Sequence, residues 1–478
     1  MALVVYNTLS KSKEEFIPIN NGKVDMFVCG LTPYDDAHLG HAKTFIGFAF
    51  VVRWLRHKGF KVKYVQNITD IEDKIIARAH ERNMDPFELE RYYEQRFFED
   101  MAALGIKDDV DVYPRSHDYI DAIRGQIQLL LDKGYAYPLD GDVYYNVVKF
   151  RDYTKLSGMK LDELEKHRIE PKEGKVNVYD FALWKASKPG EPMWEIKLKV
   201  GGKELTLTGR PGWHIEDTAM THEIFGPRYD LHGGANELIF PHHTNEIAQA
   251  EAAYDVSPFV KYWLHSGVLN VDNAKMSKSL KNFVTIHEAL KGFDAEVLKL
   301  FTASTHYRKE LNYREALMRE ARQRLNYLYA AFSIFYNMHE VQESKDDAEI
   351  VKAADTLSEE FSAAMDDDFN TPLALSRLTV AINQLRAFAE EHNEIGSKAK
   401  SRMVAAVLEA AAIFGILGHD TYKTSIPMEA DRLIKERERL RKNKKFEESD
   451  RIRDKLKSEY GILLEDTELG TAWYREGV

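Results

Sequence analysis

The most informative pattern of apolar and polar positions lies between Val24 and Gly59. Residues 26–29 form a short apolar run, which is typical of a buried parallel strand. Gly, Thr, Pro and Asp then interrupt this run over residues 30–36. Beyond the interruption, apolar residues recur at the spacing of a helix, at Phe45, Phe48, Val51, Val52 and Leu55. The pattern therefore predicts a strand, a loop and a helix in that order.

A second strand is predicted at residues 61–66, and the sequence NITDIEDKIIARA that follows it predicts another helix. Two strands joined by a crossover helix of this length indicate a parallel, doubly wound α/β sheet of the Rossmann-like kind. Thr69 and Asp70 come at the carboxyl end of the second strand, where open α/β sheets bind ligands. Asp70 is equally suited to be the N-cap of the next helix, which is the role we favour, and the role of Thr69 stays open.

The later pattern divides the chain into further regions. Helical periodicity at residues 86–104 and 119–133 gives way to short strands and turns, including a hairpin at 194–207 around Gly201 and Gly202. Residues 314–418 are almost wholly helical, with a helix start in the sequence DDDFNTP. We predict an α/β domain with an insertion, then a helical bundle and a small C-terminal region. The boundaries are 1–110 and 209–313 for the two halves of the α/β domain, 111–208 for the insertion, 314–420 for the bundle and 421–478 for the C-terminal region.

Composition narrows the class of protein. A chain of 478 residues is long enough for about two to four domains, and its 44% hydrophobic and 30% charged residues are typical of a soluble globular protein. The N-terminal sequence does not resemble a signal peptide and the apolar runs are too short for a bilayer, so we expect a cytoplasmic protein without membrane association. The single cysteine, Cys29, excludes an intrachain disulfide.

The distribution of charge bears on nucleic-acid binding. The formal net charge is −11, so a nucleic-acid partner would need a local basic patch. Residues 432–457 provide one, because they contain twelve Lys or Arg and six Asp or Glu.

Two short motifs carry candidate chemistry for a nucleotide. His38 and His41 lie one turn apart at the predicted start of the first helix, where free N–H groups and the helix dipole attract phosphates, and Gly40 lets a flat base approach the backbone. Lys275 and Lys278, in AKMSKS, put two cations on a loop that could clamp a triphosphate. Each motif alone is common on protein surfaces, so their combination is the informative observation.

In this order, the two motifs resemble the signature pair of class I aminoacyl-tRNA synthetases. Four stretches resemble cysteinyl-tRNA synthetases in particular, namely FVCGLTPYDDAHLGHAKTF, GRPGWHIEDTAM, HGGANELIFPHHTNEIAQ and KMSKSLKNF, and so does the tail with IRDKL and GILLEDTELGTAW. The resemblance extends over essentially the whole chain. It implies a ligase that uses ATP to convert L-cysteine to cysteinyl-adenylate, releasing pyrophosphate, and transfers cysteine to the 3′ end of tRNA(Cys), giving AMP. It also implies that Mg²⁺ accompanies the ATP and that the protein is a monomer.

The resemblance further implies one zinc ion per chain in the amino-acid pocket. The family holds this ion with two Cys, one His and one Glu, and the matching residues are Cys29, Asp217, His242 and Glu246. His242 and Glu246 are four residues apart, so a helix would bring them to one point. The zinc ion would select the cysteine thiol over the hydroxyl of serine.

Asp217 departs from the family pattern, which has a cysteine at this position. The formal ligand charge is unchanged, but one sulfur remains instead of two, so we expect weaker zinc retention and easier entry of other divalent metals. The alternative is that Asp217 caps a helix and that no metal is bound. His243 is the competing histidine, which we expect to pack against the site or to hydrogen bond to a ligand.

The same resemblance implies the roles of the remaining site residues. Catalysis is expected from four residues that stabilise charge on the triphosphate and pyrophosphate, namely His38, His41, Lys275 and Lys278. ATP binding is expected from residues of both motifs, namely His38, Gly40, His41 and Lys278. Trp213 is expected to contact the amino acid, with an aromatic core position as the alternative. Thr69 is expected to bind substrate because of its position at the end of the second strand.

In the C-terminal region, the family pattern points to anticodon reading by Arg441, Asp450 and Asp466. Arg can read a guanine edge at two points, and Asp can accept hydrogen bonds from base amino groups. Solvated surface charges are the alternative interpretation. A ligase that joins cysteine to an amino sugar would lack the helical and C-terminal regions, and a non-catalytic relative that binds tRNA would lack the phosphate-binding motifs. A change of amino-acid specificity caused by Asp217 stays open.

Overall fold

The computed structural model of the protein describes residues 2–159, 172–276, 282–423, 426–467 and 470–475. Within these ranges, no helix is long and apolar enough to cross a membrane. The helices and strands form an α/β domain interrupted by an antiparallel sheet, then a helical bundle and a small C-terminal unit.

The first part of the chain contains the predicted strand, loop and helix. Its elements are β1 (Val4–Asn7), β2 (Ser12–Glu15), β3 (Lys23–Leu31), α1 (Leu39–His57), β4 (Lys61–Ile68), α2 (Asp73–Arg82), α3 (Pro86–Ala103) and α4 (Ile120–Asp132). Residues 26–29 lie in β3 and residues 61–66 lie in β4, so both strand predictions are confirmed. The predicted helices at 86–104 and 119–133 are confirmed by α3 and α4. α1 is buried on most sides because it packs against the sheet and later helices.

The inserted region is built mainly from one antiparallel sheet. Its strands are β5 (Ala136–Leu139), β6 (Asp142–Tyr145), β7 (Phe181–Ala186), β8 (Trp194–Val200) and β9 (Lys203–Pro211), in the spatial order β5-β6-β7-β9-β8. The predicted hairpin is confirmed by β8 and β9. Gly201 and Gly202 both have positive φ, at 56° and 78°, and this pair of angles forms a tight turn that matches the twist of the strands.

The second half of the α/β domain completes the main sheet. Its elements are α5 (Ile215–Phe225), β10 (Tyr229–Ala235), α6 (Thr244–Tyr254), β11 (Val260–Ser266), β12 (Leu269–Val271), β13 (Ala274–Lys275), α7 (Ile286–Gly292), α8 (Ala295–Ala303) and β14 (Leu311–Tyr313). The four parallel strands have the order β11-β10-β3-β4, so the predicted doubly wound sheet is confirmed. The chain continues from β3 to β4 on one side and returns as β10 on the other. Open α/β sheets bind ligands at such a switch point, beyond the carboxyl ends of the strands.

The helical bundle follows as predicted. Its elements are α9 (Glu315–Tyr336), β15 (His339–Val341), α10 (Asp347–Asp366), α11 (Thr371–Glu391), β16 (Glu394–Gly396) and α12 (Ser397–Phe414). The helix start predicted in DDDFNTP is confirmed, because the Asn370 side chain caps α11 and Pro372 lies in its first turn.

The C-terminal region consists of a helical hairpin and a β-hairpin. Its elements are α13 (Met428–Lys442), α14 (Phe446–Tyr460), β17 (Ile462–Thr467) and β18 (Gly470–Arg475). A small apolar core joins the two hairpins to α9 of the bundle, through Ala330, Ile434, Leu456, Ile462 and Trp473. The basic helices predicted from the charge pattern are therefore packed onto the bundle.

The prediction that Asp70 caps the helix after β4 is wrong. α2 begins at Asp73, so Glu72 is in the N-cap position and its carboxylate accepts a hydrogen bond of 2.6 Å from the Lys74 N–H. Asp70 is buried and accepts a 3.2 Å hydrogen bond from the His117 N–H, and it also pairs with the His117 ring. It therefore connects β4 to the segment at residues 115–119.

A buried carboxylate, Asp368, connects three parts of the chain. Its Oδ1 atom accepts hydrogen bonds from the Tyr6 N–H at 2.8 Å and from the Tyr307 hydroxyl at 2.9 Å, and its Oδ2 accepts one from Arg308 Nε at 2.7 Å. The side chain is fully buried. Asp368 lies in the connection between α10 and α11, so it ties the bundle both to β1 and to the end of the α/β domain.

We expect Asp368→Asn to destabilise the protein by about 2 kcal/mol, because the amide nitrogen cannot accept the hydrogen bond of Arg308 Nε and the Arg308 charge loses its partner. Asn tolerates the positive φ of 58° at this position, so the backbone conformation is preserved. The measurement is the free energy of unfolding by chemical denaturation. Asp367→Asn is the matched control, since Asp367 is half-exposed and should change stability by less than about 1 kcal/mol. Equal effects of both substitutions would contradict the assigned role.

Candidate active site

A cavity of about 890 Å³ brings the predicted chemical groups together. It is lined by residues from the ends of β3 and β10, from the starts of α1 and α2, from the inserted sheet and from β13. The residues in its wall that the sequence singled out are Cys29, His38, Gly40, His41, Trp213 and Lys275. Both signature motifs therefore contribute to one cavity.

The start of α1 fixes the two histidines against each other. His38 is the N-cap residue, and its Nδ1 accepts a hydrogen bond from the His41 N–H while His41 Nδ1 accepts one from the His38 N–H, both at 3.3 Å. The two rings stack with their centroids 3.8 Å apart. A side chain at Gly40 would place its Cβ 2.8 Å from the His38 ring, so only glycine fits here. Both rings face the cavity in a fixed orientation.

His41 is a neutral imidazole in this environment. Desolvation lowers its pKa well below the ordinary value, and the neighbouring His38 and Lys74 lower it further. A neutral ring retains one N–H group for a phosphate oxygen.

The segment that follows the second signature motif is bonded to the chain on both sides of His38. The Leu39 N–H donates to the Val284 carbonyl at 3.0 Å, and the Ile286 N–H donates to the Ala37 carbonyl at 2.9 Å. Lys275 pairs with Glu237, and both side chains are exposed. Lys278 lies outside the described residues.

Four buried side chains converge beside the cavity. Cys29 comes from the end of β3, Asp217 from the first turn of α5, His242 from the turn before α6 and Glu246 from the first turn of α6. Their ligand atoms all lie within 4.8 Å of one another. The sequence placed these four residues in one metal site, and the fold brings them together.

The short distances within this cluster involve Asp217 Oδ2 and His242 Nε2. Asp217 Oδ2 lies 3.5 Å from Cys29 Sγ and 2.9 Å from His242 Nε2, and Glu246 Oε1 lies 3.0 Å from the same nitrogen. His242 Nδ1 contacts His214 Nδ1 at 2.8 Å. A histidine that binds a metal through one ring nitrogen usually makes a hydrogen bond with the other ring nitrogen.

A second group of ligand atoms shares two members of the first. His232 and His243 combine with Cys29 and Glu246 within the same 4.8 Å limit. Cys29 Sγ lies 3.1 Å from His243 Nε2 and 3.4 Å from His232 Nε2. Of the two roles predicted for His243, packing or a hydrogen bond to a ligand, the contact of its ring with the Cys29 thiol agrees with the second.

The electrostatic environment of these groups favours a cation. Burial raises the pKa of Cys29 well above its ordinary value, and Asp217 and Glu246 raise it further. Burial also raises the pKa of Glu246 to about 7, against the opposing effect of His242. Burial alone would lower the pKa of His242, but the two carboxylates raise it to about 10. A divalent ion would replace the repulsion between these acids by attraction and displace the thiol proton.

The residues present fit a divalent metal ion. Within the described part of the chain, neither carboxylate oxygen of Glu246 accepts a hydrogen bond of good geometry, although Glu246 is fully buried. Burial keeps His232 and His243 neutral by lowering their pKa values, and neutral imidazole is the form that binds metals. The first group offers one sulfur, one nitrogen and two carboxylate ligands, a combination that zinc accepts and that harder divalent ions accept as well.

Of the two residues predicted to contact the amino acid, Trp213 lines the cavity and Thr69 is not among its lining residues. The Trp213 ring stacks on the His242 ring, with centroids 4.3 Å apart and planes 23° apart, and it is half-buried in the cavity wall. Lys74 Nζ lies 5.6 Å from the Trp213 ring centroid. Thr69 is buried and its hydroxyl accepts a 3.2 Å hydrogen bond from Asn67 Nδ2.

The three candidate anticodon residues lie in the C-terminal region. Asp466 is held by a fully buried Arg437 through two hydrogen bonds of 2.7 Å, which lower the pKa of the carboxyl group, and Arg441 lies 3.2 Å from the same carboxylate. Asp450 lies on α14 and pairs with Arg453 at 3.2 Å. Arg441 and Asp466 therefore form one charged group, and Asp450 lies on the neighbouring helix.

Sequence reasoning missed several residues of the site. His232 lies in the middle of β10, directly before a glycine pair, and no pattern in the sequence distinguishes it. Asn67 is the penultimate residue of β4, close to the carboxyl end of the sheet where ligands bind, as Thr69 and Asp70 are. Lys74 and Arg437 had no distinguishing pattern, because charged residues on helices are common.

Comparisons with known proteins agree with this architecture. Residues 15–323 match the family described as tRNA synthetases class I (C) catalytic domain, and residues 360–418 match the DALR domain. A solved structure of Mycobacterium tuberculosis methionyl-tRNA synthetase bound by methionyl-adenylate has a TM-score of 0.58 at 15% identity, and covers 82% of this chain and 91% of its own. That likeness supports the class I synthetase fold.

Curated relatives match over their whole length. The cysteine–tRNA ligase of Thermococcus onnurineus is 44% identical over 495 residues, with 100% of both chains covered. The cysteine–tRNA ligase of Trichlorobacter lovleyi is 44% identical, with 99% of both chains covered, and that of Thermococcus kodakarensis is 45% identical with the same coverage. The catalytic-domain match and these full-length relatives show that the chain belongs to the cysteine–tRNA ligase family of class I aminoacyl-tRNA synthetases.

Proposed function

We propose that this protein joins L-cysteine to tRNA(Cys) with ATP, releasing pyrophosphate and AMP. The observation that carries the proposal is the position of Cys29, which lies in the wall of the cavity that holds both ATP motifs and belongs to the buried ligand cluster. The full-length similarity to cysteine–tRNA ligases supports the same reaction.

The first step forms cysteinyl-adenylate. A cysteine carboxylate oxygen forms a bond to the α-phosphorus of ATP, and the bond from this phosphorus to the bridging oxygen of pyrophosphate breaks. The carboxylate is already ionised, so the step needs no general base, and catalysis consists of positioning and charge stabilisation. His38 and His41, held by the capping box beside Gly40, donate to phosphate oxygens, and Lys275 and Lys278 neutralise the departing pyrophosphate. Mg²⁺ accompanies the ATP.

The second step transfers cysteine to tRNA. A hydroxyl oxygen of the terminal ribose forms a bond to the carbonyl carbon of the adenylate, and the bond from that carbon to the phosphate oxygen breaks, releasing AMP. Residues 360–418, which match the DALR domain, and the basic helices α13 and α14 bind the tRNA. Because the main cavity lies in the α/β domain, the tRNA must contact both regions at once.

Cysteine is selected by its thiol. Cys29, Asp217, His242 and Glu246 would hold one zinc ion, which when bound favours a thiolate over the neutral hydroxyl of serine. A pocket that recognises only shape would discriminate poorly between cysteine and serine. Trp213 covers the amino-acid side chain, and Thr69 is the second residue assigned to the substrate.

Anticodon reading is assigned to the C-terminal region. Arg441 and Asp450 present a donor group and an acceptor group on neighbouring helices, and Arg437 holds the Asp466 carboxylate in a fixed orientation. This arrangement suits recognition of unstacked bases. We expect the protein to act as a monomer in the cytoplasm, as the family resemblance implies.

We expect Cys29→Ser to lower kcat/KM for cysteine by a factor on the order of 10² in cysteine-dependent ATP–pyrophosphate exchange, because a hydroxyl is a much weaker metal ligand than a thiolate. The zinc content of the purified variant should fall in parallel. The KM for ATP serves as the internal control and should stay within about threefold, because Cys29 belongs to the ligand cluster and not to the two motifs assigned to the phosphates. Undiminished cysteine activation by a metal-free variant would refute the role of the cluster.

We expect Arg441→Ala to raise the KM for tRNA(Cys) in aminoacylation by about 10-fold or more, since a base-reading arginine contributes about 1–3 kcal/mol. ATP–pyrophosphate exchange without tRNA should be unchanged, because Arg441 lies in the C-terminal region. Arg319→Ala is the control, because Arg319 is an exposed residue on α9 outside the DALR match. If the two variants behave alike toward tRNA, Arg441 does not read the anticodon.

A further inference from the structure

Asn67 joins two sides of the buried cluster without belonging to either group of ligand atoms. It is the penultimate residue of β4 and its side chain is 1% exposed. Its carboxamide contacts the chain beside Cys29 on one side and the carboxylate of Asp217 on the other. A buried amide between two metal-ligand positions is well placed to control the geometry of one of them.

The orientation of this amide follows from its partners. The Gly30 N–H can only donate, and it lies 2.7 Å from Asn67 Oδ1, so the amide oxygen must face Gly30. The amide nitrogen therefore faces Asp217, where Nδ2 donates to Oδ1 at 2.6 Å, and its second hydrogen faces the Thr69 hydroxyl at 3.2 Å. Gly30 itself is fixed, because a Cβ at this position would lie 1.8 Å from the Asn67 carbonyl oxygen.

This hydrogen bond leaves Asp217 with one oxygen for the cluster. Oδ1 is occupied by the amide, whereas Oδ2 lies 2.9 Å from His242 Nε2 and 3.5 Å from Cys29 Sγ. We propose that Asn67 is a positioning residue that makes Asp217 a single-oxygen metal ligand, so that a carboxylate can act at a position where a cysteine would offer one sulfur. This inference rests on the metal site of the proposed function.

The physical reason is the difference between a carboxylate and a thiolate. A carboxylate has two equivalent oxygens, so without the amide it can rotate, bind a metal through both oxygens or turn both toward His242. A thiolate has one donor atom and no such choice. The contribution of Asn67 to metal retention should therefore depend on the residue at position 217, whereas a purely structural contribution should not.

The test is a double-mutant cycle of Asn67→Ala and Asp217→Cys, with Zn²⁺ as the probe. Zn²⁺ affinity is measured by competition with a chromophoric chelator, and Co²⁺-loaded protein is compared by its visible absorption bands, so neither readout depends on activity. We expect Asn67→Ala to lower Zn²⁺ affinity by about 10- to 100-fold in the parent chain and to change the Co²⁺ bands. In the Asp217→Cys background, the same change should alter affinity by less than about threefold.

The control is Asn146→Ala, which removes another buried asparagine outside the cluster and should leave Zn²⁺ affinity unchanged. If Asn67→Ala does not fold, Asn67→Ser replaces it, because its hydroxyl can still accept from the Gly30 N–H. Equal loss of affinity in both backgrounds, or no loss in the parent chain, would overturn the role of Asn67 while the metal site stands. Absence of Zn²⁺ binding from both the parent chain and Asp217→Cys would overturn the metal site and this inference together.

Discussion

The burial of a thiol and two carboxylates at the switch point of the main sheet is the constraint on which the site depends. Cys29, Asp217 and Glu246 come from three different elements, and burial together with mutual repulsion raises the pKa values of Cys29 and Glu246. Such groups are unfavourable inside a protein unless a cation or protons neutralise them. A divalent ion would neutralise them, and the proposed function uses such an ion to recognise a thiol beside the cavity that Cys29 lines.

The rest of the fold serves to bring distant segments to this cavity. The start of α1 carries the histidine pair and is hydrogen bonded to residues 284 and 286, which follow the lysine motif in the chain. Asp368 ties the end of the α/β domain to the helical bundle. The bundle in turn carries the basic C-terminal region through a small apolar core. Amino-acid activation and tRNA binding therefore occur on one connected structure.

Periodicity and motif order were sufficient to predict the doubly wound sheet, the hairpin of the insertion and the helix start at Asn370. Four ligand positions followed from resemblance, and their convergence is visible in the structure. Other features depend on three-dimensional contacts that no local pattern records. The helix start at Asp73 moved the cap from Asp70 to Glu72, and the return of β10 beside β3 brought His232 to Cys29. One partner of the Asn67 amide nitrogen, Asp217, lies 150 residues further along the chain on α5.

A metal held by Cys29, Asp217, His242 and Glu246 would select cysteine by its thiol. The most direct test of this selection compares ATP–pyrophosphate exchange with cysteine and with serine, using the same protein before metal removal, after removal and after reloading with zinc. We expect exchange with cysteine alone, loss of this exchange when the metal is removed, and its return with about one zinc per chain. Undiminished cysteine-specific exchange by the metal-free protein would contradict selection by the metal.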